Sequence, residues 1–166
     1  NALAAAAVGR IIDVPWEGIQ RALGEFEPVS MRAEIVRKNE IVVINDCYNA
    51  NPDSMSAALE LLGEVPGKRK VAILGDMLEL GLQSGEFHAA IGAEAAARAD
   101  LLLATGNECK QLVAAARSAG MDEACHFERA DQLGAYAAAH LESGDVALVK
   151  ASRGMALDRI VDRILQ

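Results

Sequence analysis

Aromatic residues and cysteines are scarce in this chain of 166 residues, and long apolar runs are absent from its sequence. Phe, Trp and Tyr make up only 4% of it, so the hydrophobic share of 52% consists mainly of Ala, Leu and Val. No apolar run approaches the roughly 20 residues that a membrane-spanning helix needs, and we expect no membrane insertion. The cysteines, at positions 47, 109 and 125, lack the paired spacing of a disulfide framework or a zinc site. Isolated thiols are typical of a reducing compartment, which predicts a cytoplasmic protein with no metal ligands in this chain.

Positive charge is also in short supply. Lys and Arg number 16 against 24 Asp and Glu, so the formal net charge is −8. Binding to nucleic acid needs clustered cations, and this deficit argues against a nucleic-acid partner. With 24% charged residues beside the large hydrophobic share, the composition is that of one folded domain with a substantial core.

The two glycine-rich motifs that hold phosphates, G-x-G-x-x-G and G-x-x-x-x-G-K-[ST], are missing as well. The nearest approach, at residues 63–69, is one residue too short and lacks the hydroxyl that would bind Mg²⁺. We interpret it as a surface turn. If the chain binds a nucleotide, most of the contacts to the phosphates have to come from polypeptide outside these residues.

What is present is a regular alternation of short apolar runs and helical stripes. After two helices and a linker that ends at Pro28, two β-branched runs predict an antiparallel hairpin. Four apolar runs then alternate with single helices, which predicts parallel strands covered on both faces. We therefore expect a Rossmann-like three-layer α/β/α sandwich, with a mostly parallel sheet that starts with the hairpin. The predicted strands are residues 33–37, 41–44, 71–74, 101–104, 125–127 and 146–149, and the predicted helices are 2–12, 15–23, one that begins at Pro52, 86–98, 108–118, 131–141 and 157–165.

Ligands of parallel sheets bind beyond the carboxyl ends of the strands. Polar or glycine-bearing segments follow four of the predicted strands, at residues 45–51, 75–77, 105–107 and 150–154. In the first of them, Asp46 can accept a ribose hydroxyl while the asparagines that follow contact a base. The same segment can equally be a loop in which Asp53 or Ser54 caps the next helix.

The last of these segments also has two interpretations. Lys150 and Arg153, beside the hydroxyl of Ser152, can clamp a carboxylate or a phosphate. They can also be solvated charges where the chain enters a helix. His88, early in a predicted helix, is more typical of a structural residue than of a catalytic one.

Two longer strings carry a resemblance to a known family. They are D-C-Y-N-A-N-P-D-S-M at residues 46–55 and L-G-D-M-L-E-L-G at residues 74–81. Both resemble the carboxyl-terminal domain of the Mur ligases, and most closely that of the members that add D-alanyl-D-alanine to UDP-N-acetylmuramoyl-tripeptide. The segment before Arg32 and the string L-V-K-A-S-R-G-M at residues 148–155 are similar too. The chain departs from the family pattern at Met31 and Ala151, where the family usually has Gly.

The resemblance implies an ATP-dependent, peptide-bond-forming ligase of peptidoglycan precursor synthesis. Such enzymes have an amino-terminal UDP-sugar domain, a central ATPase domain with the P-loop and the Mg²⁺ ligands, and this terminal domain. We therefore expect residues 1–28 to be the last helices of the central domain and residues 29–166 to be the terminal domain. We also expect the chain to be inactive without the missing domains.

The resemblance further implies roles for individual residues. We hypothesise that Arg32 contacts the ATP phosphates and that Asp46 contacts the ribose. Arg32 and Lys150 are the candidate catalytic residues. The adenine side would be lined by Asn1, Tyr48, Asn49 and Asn51, and the dipeptide or the transition state would be oriented by Lys150, Ser152 and Arg153. Two alternatives stay open: a related ligase such as a folylpolyglutamate synthase, and a doubly wound binding module without catalysis.

Overall fold

A computed structural model describes residues 2–26 and 31–166 of the protein. Its strands are β1 (Glu34–Lys38), β2 (Ile41–Asp46), β3 (Arg69–Gly75), β4 (Leu101–Thr105), β5 (Ala124–Phe127) and β6 (Asp145–Lys150). Its helices are α1 (Ala2–Ile11), α2 (Trp16–Gly24), α3 (Pro52–Glu64), α4 (Ser84–Ala96), α5 (Cys109–Ser118), α6 (Ala130–His140) and α7 (Asp158–Ile164). Short 3₁₀ turns occupy Gly81–Gln83 and Arg153–Met155.

The strands of the described ranges form one sheet in the order β1-β2-β6-β3-β4-β5. Strand β1 is antiparallel to β2, and every other neighbouring pair is parallel. The predicted fold class, a mostly parallel sheet with a hairpin at its start, is therefore confirmed.

Two apolar cores cover the two faces of the sheet. Helices α3, α4 and α5 pack on one face, where they meet alternate strand residues such as Ile44 and Leu74. Helices α6 and α7 pack on the other face, against the intervening residues such as Val43 and Ile73. Because successive strand residues point to opposite faces, a strand buried on both sides has to be apolar throughout. This explains why the central strands appear in the sequence as unbroken apolar runs.

The strand order creates an opening at one edge of the sheet. Strand β2 leads into α3 on one face, and its neighbour β6 leads into α7 on the other face. The two chain segments diverge after the paired residues Asp46 and Lys150. Such a switch point leaves a crevice outside the carboxyl ends of the strands, where parallel sheets bind their ligands.

Helices α1 and α2 precede the sheet and pack on each other. They approach closely at Gly9, where an added Cβ would lie 3.2 Å from the side chain of Ile19. Several large apolar side chains of these helices remain exposed, among them Leu3, Ile11 and Trp16. The proposed boundary after residue 28 falls outside the described residues. No helix in the described ranges has both the length and the apolar character needed to cross a membrane.

Candidate functional site

The crevice beside β2 and β6 consists of two adjoining clefts. The first has a volume of about 430 Å³ and the second of about 570 Å³, and both share the wall formed by residues 48–51. The first cleft is lined by Arg32, Ala33, Asp46, Tyr48, Asn49, Ala50, Asn51, Ser54 and Lys150. The second adds Leu78, Glu79, Leu80, Ser152, Arg153 and Gly154. The structure thus brings together every expected site residue except Asn1, which lies outside the described residues.

Arg32 stands on an unusual piece of backbone. Its two neighbours, Met31 and Ala33, have φ values of 63° and 50°, in the left-handed region that residues with a Cβ seldom adopt. Each such residue costs on the order of 1–3 kcal/mol and persists where its surroundings hold it. Here the carbonyl of Met31 accepts a hydrogen bond from the Tyr48 N–H (3.0 Å), and the Ala33 N–H donates to Asp46 Oδ1 (3.0 Å). The segment after β2 therefore fixes the backbone on both sides of Arg32.

Lys150 ends strand β6 and is only 2% exposed. Its Nζ lies 2.6 Å from Asp46 Oδ2 and 2.9 Å from the carbonyl oxygen of Asn49, and it donates to both. A buried ammonium group needs such partners, since the loss of its hydration would otherwise be too costly. Lys150 thus joins the end of β6 to the loop after β2. The Asp46 carboxylate, with one bond from Lys150 and one from Ala33, still has lone pairs for a ligand hydroxyl.

The loop after β2 ends in a helix cap. Asn51 is the N-cap of α3: its side chain accepts from the Ser54 N–H (2.8 Å), and Ser54 Oγ accepts from the Asn51 N–H (3.0 Å). Pro52 occupies the first turn, where its missing N–H costs nothing. The segment is a loop that caps the next helix, as one interpretation expected, but the choice of Asp53 or Ser54 as the cap is wrong: the N-cap is Asn51, and Ser54 is its reciprocal partner. Asn51 lines both clefts, and its amide nitrogen is a hydrogen-bond donor.

Ser152 fastens three loops together beneath the second cleft. Its Oγ accepts a hydrogen bond from the Leu78 N–H (2.9 Å) and donates to the carbonyl oxygen of Ala50 (3.3 Å). Its own N–H donates to the carbonyl oxygen of Asp76 (3.1 Å). Because Ser152 is buried and its hydroxyl is fully engaged, it shapes the cleft from below.

Arg153, the next residue, is exposed at the rim of the second cleft. Its guanidinium group lies 3.1 Å from Met31 Sδ and 3.8 Å from a carboxylate oxygen of Asp158. The second of these distances is too long for a hydrogen bond, so the pair is a loose one. Arg153 is therefore a charge at the cleft that a ligand can recruit.

A buried polar cluster supports the wall formed by residues 76–80. Asp76 Oδ1 accepts from the Cys109 N–H (2.9 Å), and His88 Nε2 accepts from the Met77 N–H (3.0 Å). His88 Nδ1 lies 2.7 Å from the Ser84 carbonyl oxygen and must donate to it, so the ring is the neutral Nδ1–H tautomer. The structural role expected of His88 agrees with this geometry.

The same cluster contains the residue types of a metal site. Ligand atoms of Asp76, His88 and Cys109 lie within 4.8 Å of one another. The His88 Nε2 lone pair, however, is already bonded to Met77, and burial raises the pKa of the Cys109 thiol, with the Asp76 charge adding to the effect. With the imidazole engaged at both ring nitrogens and the thiol buried, the cluster has a structural role in supporting this wall.

Cys47 is buried under the other side of the crevice. Its Sγ donates to the carbonyl oxygen of Val149 at 3.3 Å. Burial, and to a lesser extent the charges of Asp158 and Asp46, raise the pKa of this thiol to about 12. Cys47 is therefore a neutral packing residue at ordinary pH.

A family model described as "Mur ligase, glutamate ligase domain" matches residues 31–153, which include all the residues that line the crevice except Gly154. The chain belongs to the Mur ligase family. Among its curated relatives is the UDP-N-acetylmuramoyl-tripeptide–D-alanyl-D-alanine ligase of Treponema pallidum, 37% identical over 162 residues, which cover 96% of this chain and 35% of the relative. This Mur ligase chain thus spans about a third of the length of that relative.

Solved structures agree with this assignment. A MurF structure from Acinetobacter baumannii superposes with a TM-score of 0.90 and 25% identity, over 99% of this chain and 36% of its own. The MurF ligase of Thermotoga maritima, solved in complex with ADP, superposes with a TM-score of 0.80 and 24% identity, over 95% of this chain and 35% of its own. The second likeness is evidence for the fold.

Sequence reasoning on this Mur ligase chain missed what holds the crevice in shape. The glycine that the family usually has at position 31 was a signal for the left-handed backbone of Met31, but nothing in the sequence indicated that of Ala33 or the burial of Ser152. For the burial of Lys150 a signal existed. Lys150 directly follows the four apolar residues 146–149, and a strand that extends by one residue beyond them buries its side chain. A further contact that the sequence does not reveal is that of Arg32 with Tyr48, whose ring centroid lies 4.1 Å from the guanidinium carbon.

Proposed function

We propose that this chain is the terminal domain of an ATP-dependent ligase that joins D-alanyl-D-alanine to UDP-N-acetylmuramoyl-tripeptide in peptidoglycan precursor synthesis. The observation that carries the proposal is the single crevice in which Arg32, Asp46 and Asn51 meet at the switch point of the sheet. The name of the Treponema relative, a UDP-N-acetylmuramoyl-tripeptide–D-alanyl-D-alanine ligase, supports the substrates, and the ADP complex of the Thermotoga enzyme supports the nucleotide.

The first cleft fits part of a nucleotide. Arg32 offers an exposed guanidinium group to the phosphates, and the Asp46 carboxylate has free lone pairs for the ribose hydroxyls. The base would lie toward Asn49 and Asn51, joined by Asn1 from outside the described residues. The phosphate-binding loop that the sequence lacks would come from the central domain.

Mg²⁺ belongs to the same proposal. Asp46, whose carboxylate lines the same cleft as Arg32, is already held by Lys150 and the Ala33 N–H, which makes it a poor ligand for an ion that prefers free carboxylates and water. We therefore assign no Mg²⁺ ligand to this chain and place the ligands in the central domain.

The chemistry needs charge neutralisation and exact placement of an amine. ATP transfers its terminal phosphoryl group to the terminal carboxylate of the tripeptide and leaves as ADP. The amine of D-alanyl-D-alanine attacks the acyl phosphate and gives up a proton, and the tetrahedral intermediate collapses to a peptide bond and phosphate. Arg32 would stabilise the transferring phosphoryl group, and Arg153 would orient the dipeptide carboxylate or the transition state. Lys150 and Ser152 would act by holding the loops that carry these groups, since both are buried and hydrogen-bonded.

The domain division is part of the proposal. Helices α1 and α2 expose Leu3, Ile11 and Trp16 on their surface, an apolar area that a single folded domain would normally cover. We assign residues 1–28 to the end of the central domain, which would bury these side chains. The length of the curated relative, about three times that of this chain, leaves room for such a domain.

The test is Arg32→Ala in the ligase that contains this chain with its other domains. We expect turnover to fall by roughly 100-fold or more, because a transition-state charge contact is lost. The free energy of unfolding should change by less than about 1 kcal/mol, since Arg32 is exposed. The matched control is Arg129→Ala, which removes an exposed arginine paired with Asp131 next to α6 and should leave turnover unchanged.

Turnover retained in the Arg32 variant would remove this residue from the site. A nucleotide titration of the 166 residues alone addresses the remaining alternatives. Tight ATP binding without a central domain would favour a binding module, and turnover of a folate substrate by the complete protein would favour a related ligase.

A further inference from the structure

We propose that Tyr48 is a positioning residue for Arg32: its ring holds the guanidinium group in place at the cleft, and so serves the phosphates rather than the base. The inference rests on the proposed function, which assigns Arg32 to the ATP phosphates. It departs from the expectation that Tyr48 lines the adenine side.

The contact itself is a cation–π interaction. The guanidinium carbon of Arg32 lies 4.1 Å from the centroid of the Tyr48 ring, well inside the roughly 6 Å at which such pairs attract. Within residues 2–26 and 31–166, Arg32 takes part in no ion pair and no side-chain hydrogen bond. Among the described residues, it is the Tyr48 ring that holds this charge in position.

Hydrogen bonds of the backbone hold the segments that carry Arg32 and Tyr48 together. The Tyr48 N–H donates to the carbonyl of Met31, directly before Arg32, and Asp46 accepts from the N–H of Ala33, directly after it. Lys150 in turn holds Asp46 from inside the sheet. Because Arg32 and Tyr48 are tied at their backbones as well as stacked at their side chains, a change in the ring acts on the guanidinium group without moving the loop.

The geometry separates two roles for the ring. Tyr48 is 42% exposed, and the face that Arg32 covers is not available for stacking on a base. If Tyr48 acts through Arg32, removal of the Tyr48 ring weakens the binding of each ligand in proportion to its phosphate charge. If instead it stacks on the base, its loss weakens adenosine as much as ATP.

The experiment compares Tyr48→Leu with Tyr48→Phe in the complete ligase, with ATP, ADP and adenosine as ligands in titration calorimetry. We expect Tyr48→Leu to weaken ATP binding about 2- to 5-fold, the range of an exposed cation–π contact, and to leave adenosine binding unchanged. Tyr48→Phe keeps the ring and should bind ATP as the unchanged protein does. In an Arg32→Ala background, Tyr48→Leu should have no further effect. An equal loss of adenosine affinity, or additive losses in the double variant, would overturn the proposal.

A second measurement separates this inference from the proposed function. In the 166-residue chain without nucleotide, the ring current of Tyr48 should shift the Arg32 side-chain protons upfield, and the shift should survive Tyr48→Phe but not Tyr48→Leu. An unshifted Arg32 refutes the contact whatever the ligand data show. A shifted Arg32 combined with normal ATP binding by Arg32→Ala would refute the nucleotide role of Arg32 and, with it, the positioning role of Tyr48.

Discussion

Replacing Lys150 with Met tests whether the buried ion pair holds the crevice together. Met keeps most of the length and apolar surface of the lysine stem but removes the ammonium group. Two contacts disappear, with Asp46 Oδ2 at 2.6 Å and with the Asn49 carbonyl oxygen at 2.9 Å. Within the part of the chain that the structure describes, the Asp46 carboxylate at the end of β2 then keeps only the Ala33 N–H as its partner.

The loss in free energy of unfolding that we expect for Lys150→Met follows from the burial of the ion pair. Removing one partner of a buried ion pair costs about 3–5 kcal/mol, most of it from the charge left behind. The Asp46 side chain is 19% exposed, so water can solvate part of its charge, and we expect the lower value of about 3 kcal/mol. Urea unfolding of the 166-residue chain measures this loss directly, and the slope of the free energy against urea should stay the same.

The matched control is Lys110→Met, which removes the same group from an exposed pair. Lys110 and Glu128 are 51% and 73% exposed at 3.2 Å, and such pairs contribute no more than about 1 kcal/mol. Adding Asp46→Asn to Lys150→Met removes the orphaned charge and should restore about 1 kcal/mol or more. Equal effects of Lys150→Met and Lys110→Met, or no recovery in the double variant, would refute the assigned role of the pair.

The remaining predictions concern the packing of two helix glycines and the burial of the cysteines. Gly92→Ala in α4 should lower the free energy of unfolding by about 1–3 kcal/mol, because the added Cβ would lie 2.0 Å from a backbone oxygen of α5. Gly63→Ala in α3, with open space around the added Cβ, should raise it by about 0.5–1 kcal/mol, and urea curves in which both variants shift alike would contradict this. Because burial raises the pKa of Cys47 to about 12 and also raises that of Cys109, we expect only the partly exposed Cys125 to react quickly with a thiol reagent near pH 8. Fast reaction of Cys47 or Cys109 in the native protein would show that the crevice floor opens.

The fold was predictable because its signals are local and repeated. The run V-A-I-L at residues 71–74 reads as a doubly covered strand, and the structure buries all four residues. Boundaries were less certain. Helix α4 begins at Ser84, two residues before the predicted start, because the 3₁₀ turn Gly81–Gln83 leads straight into it. Capping residues and turns, rather than the apolar stripe, decide where a helix starts.

The sequence predicted which residues line the candidate site, but not which of them face a ligand and which hold the loops in place. Motif and strand position brought Arg32 and Asp46 to one cleft. Side-chain type alone does not distinguish a charge that faces a ligand from one that faces its own backbone, and Lys150 and Ser152 are of the second kind. The contact of Tyr48 with Arg32 joins residues 16 positions apart in sequence, and no periodicity encodes such a pair.

The hydroxyl of Ser152 has a thermodynamic consequence. Since the hydroxyl bonds the loop after β2 and the loop after β3, and the Ser152 amide bonds the loop after β3 a second time, the walls of the crevice are set before any ligand enters. Association then freezes the rotamers of a few surface side chains and leaves the main chain as it was. The entropy lost on binding should accordingly be small for a ligand of this size, and the heat of binding should report mainly new polar contacts.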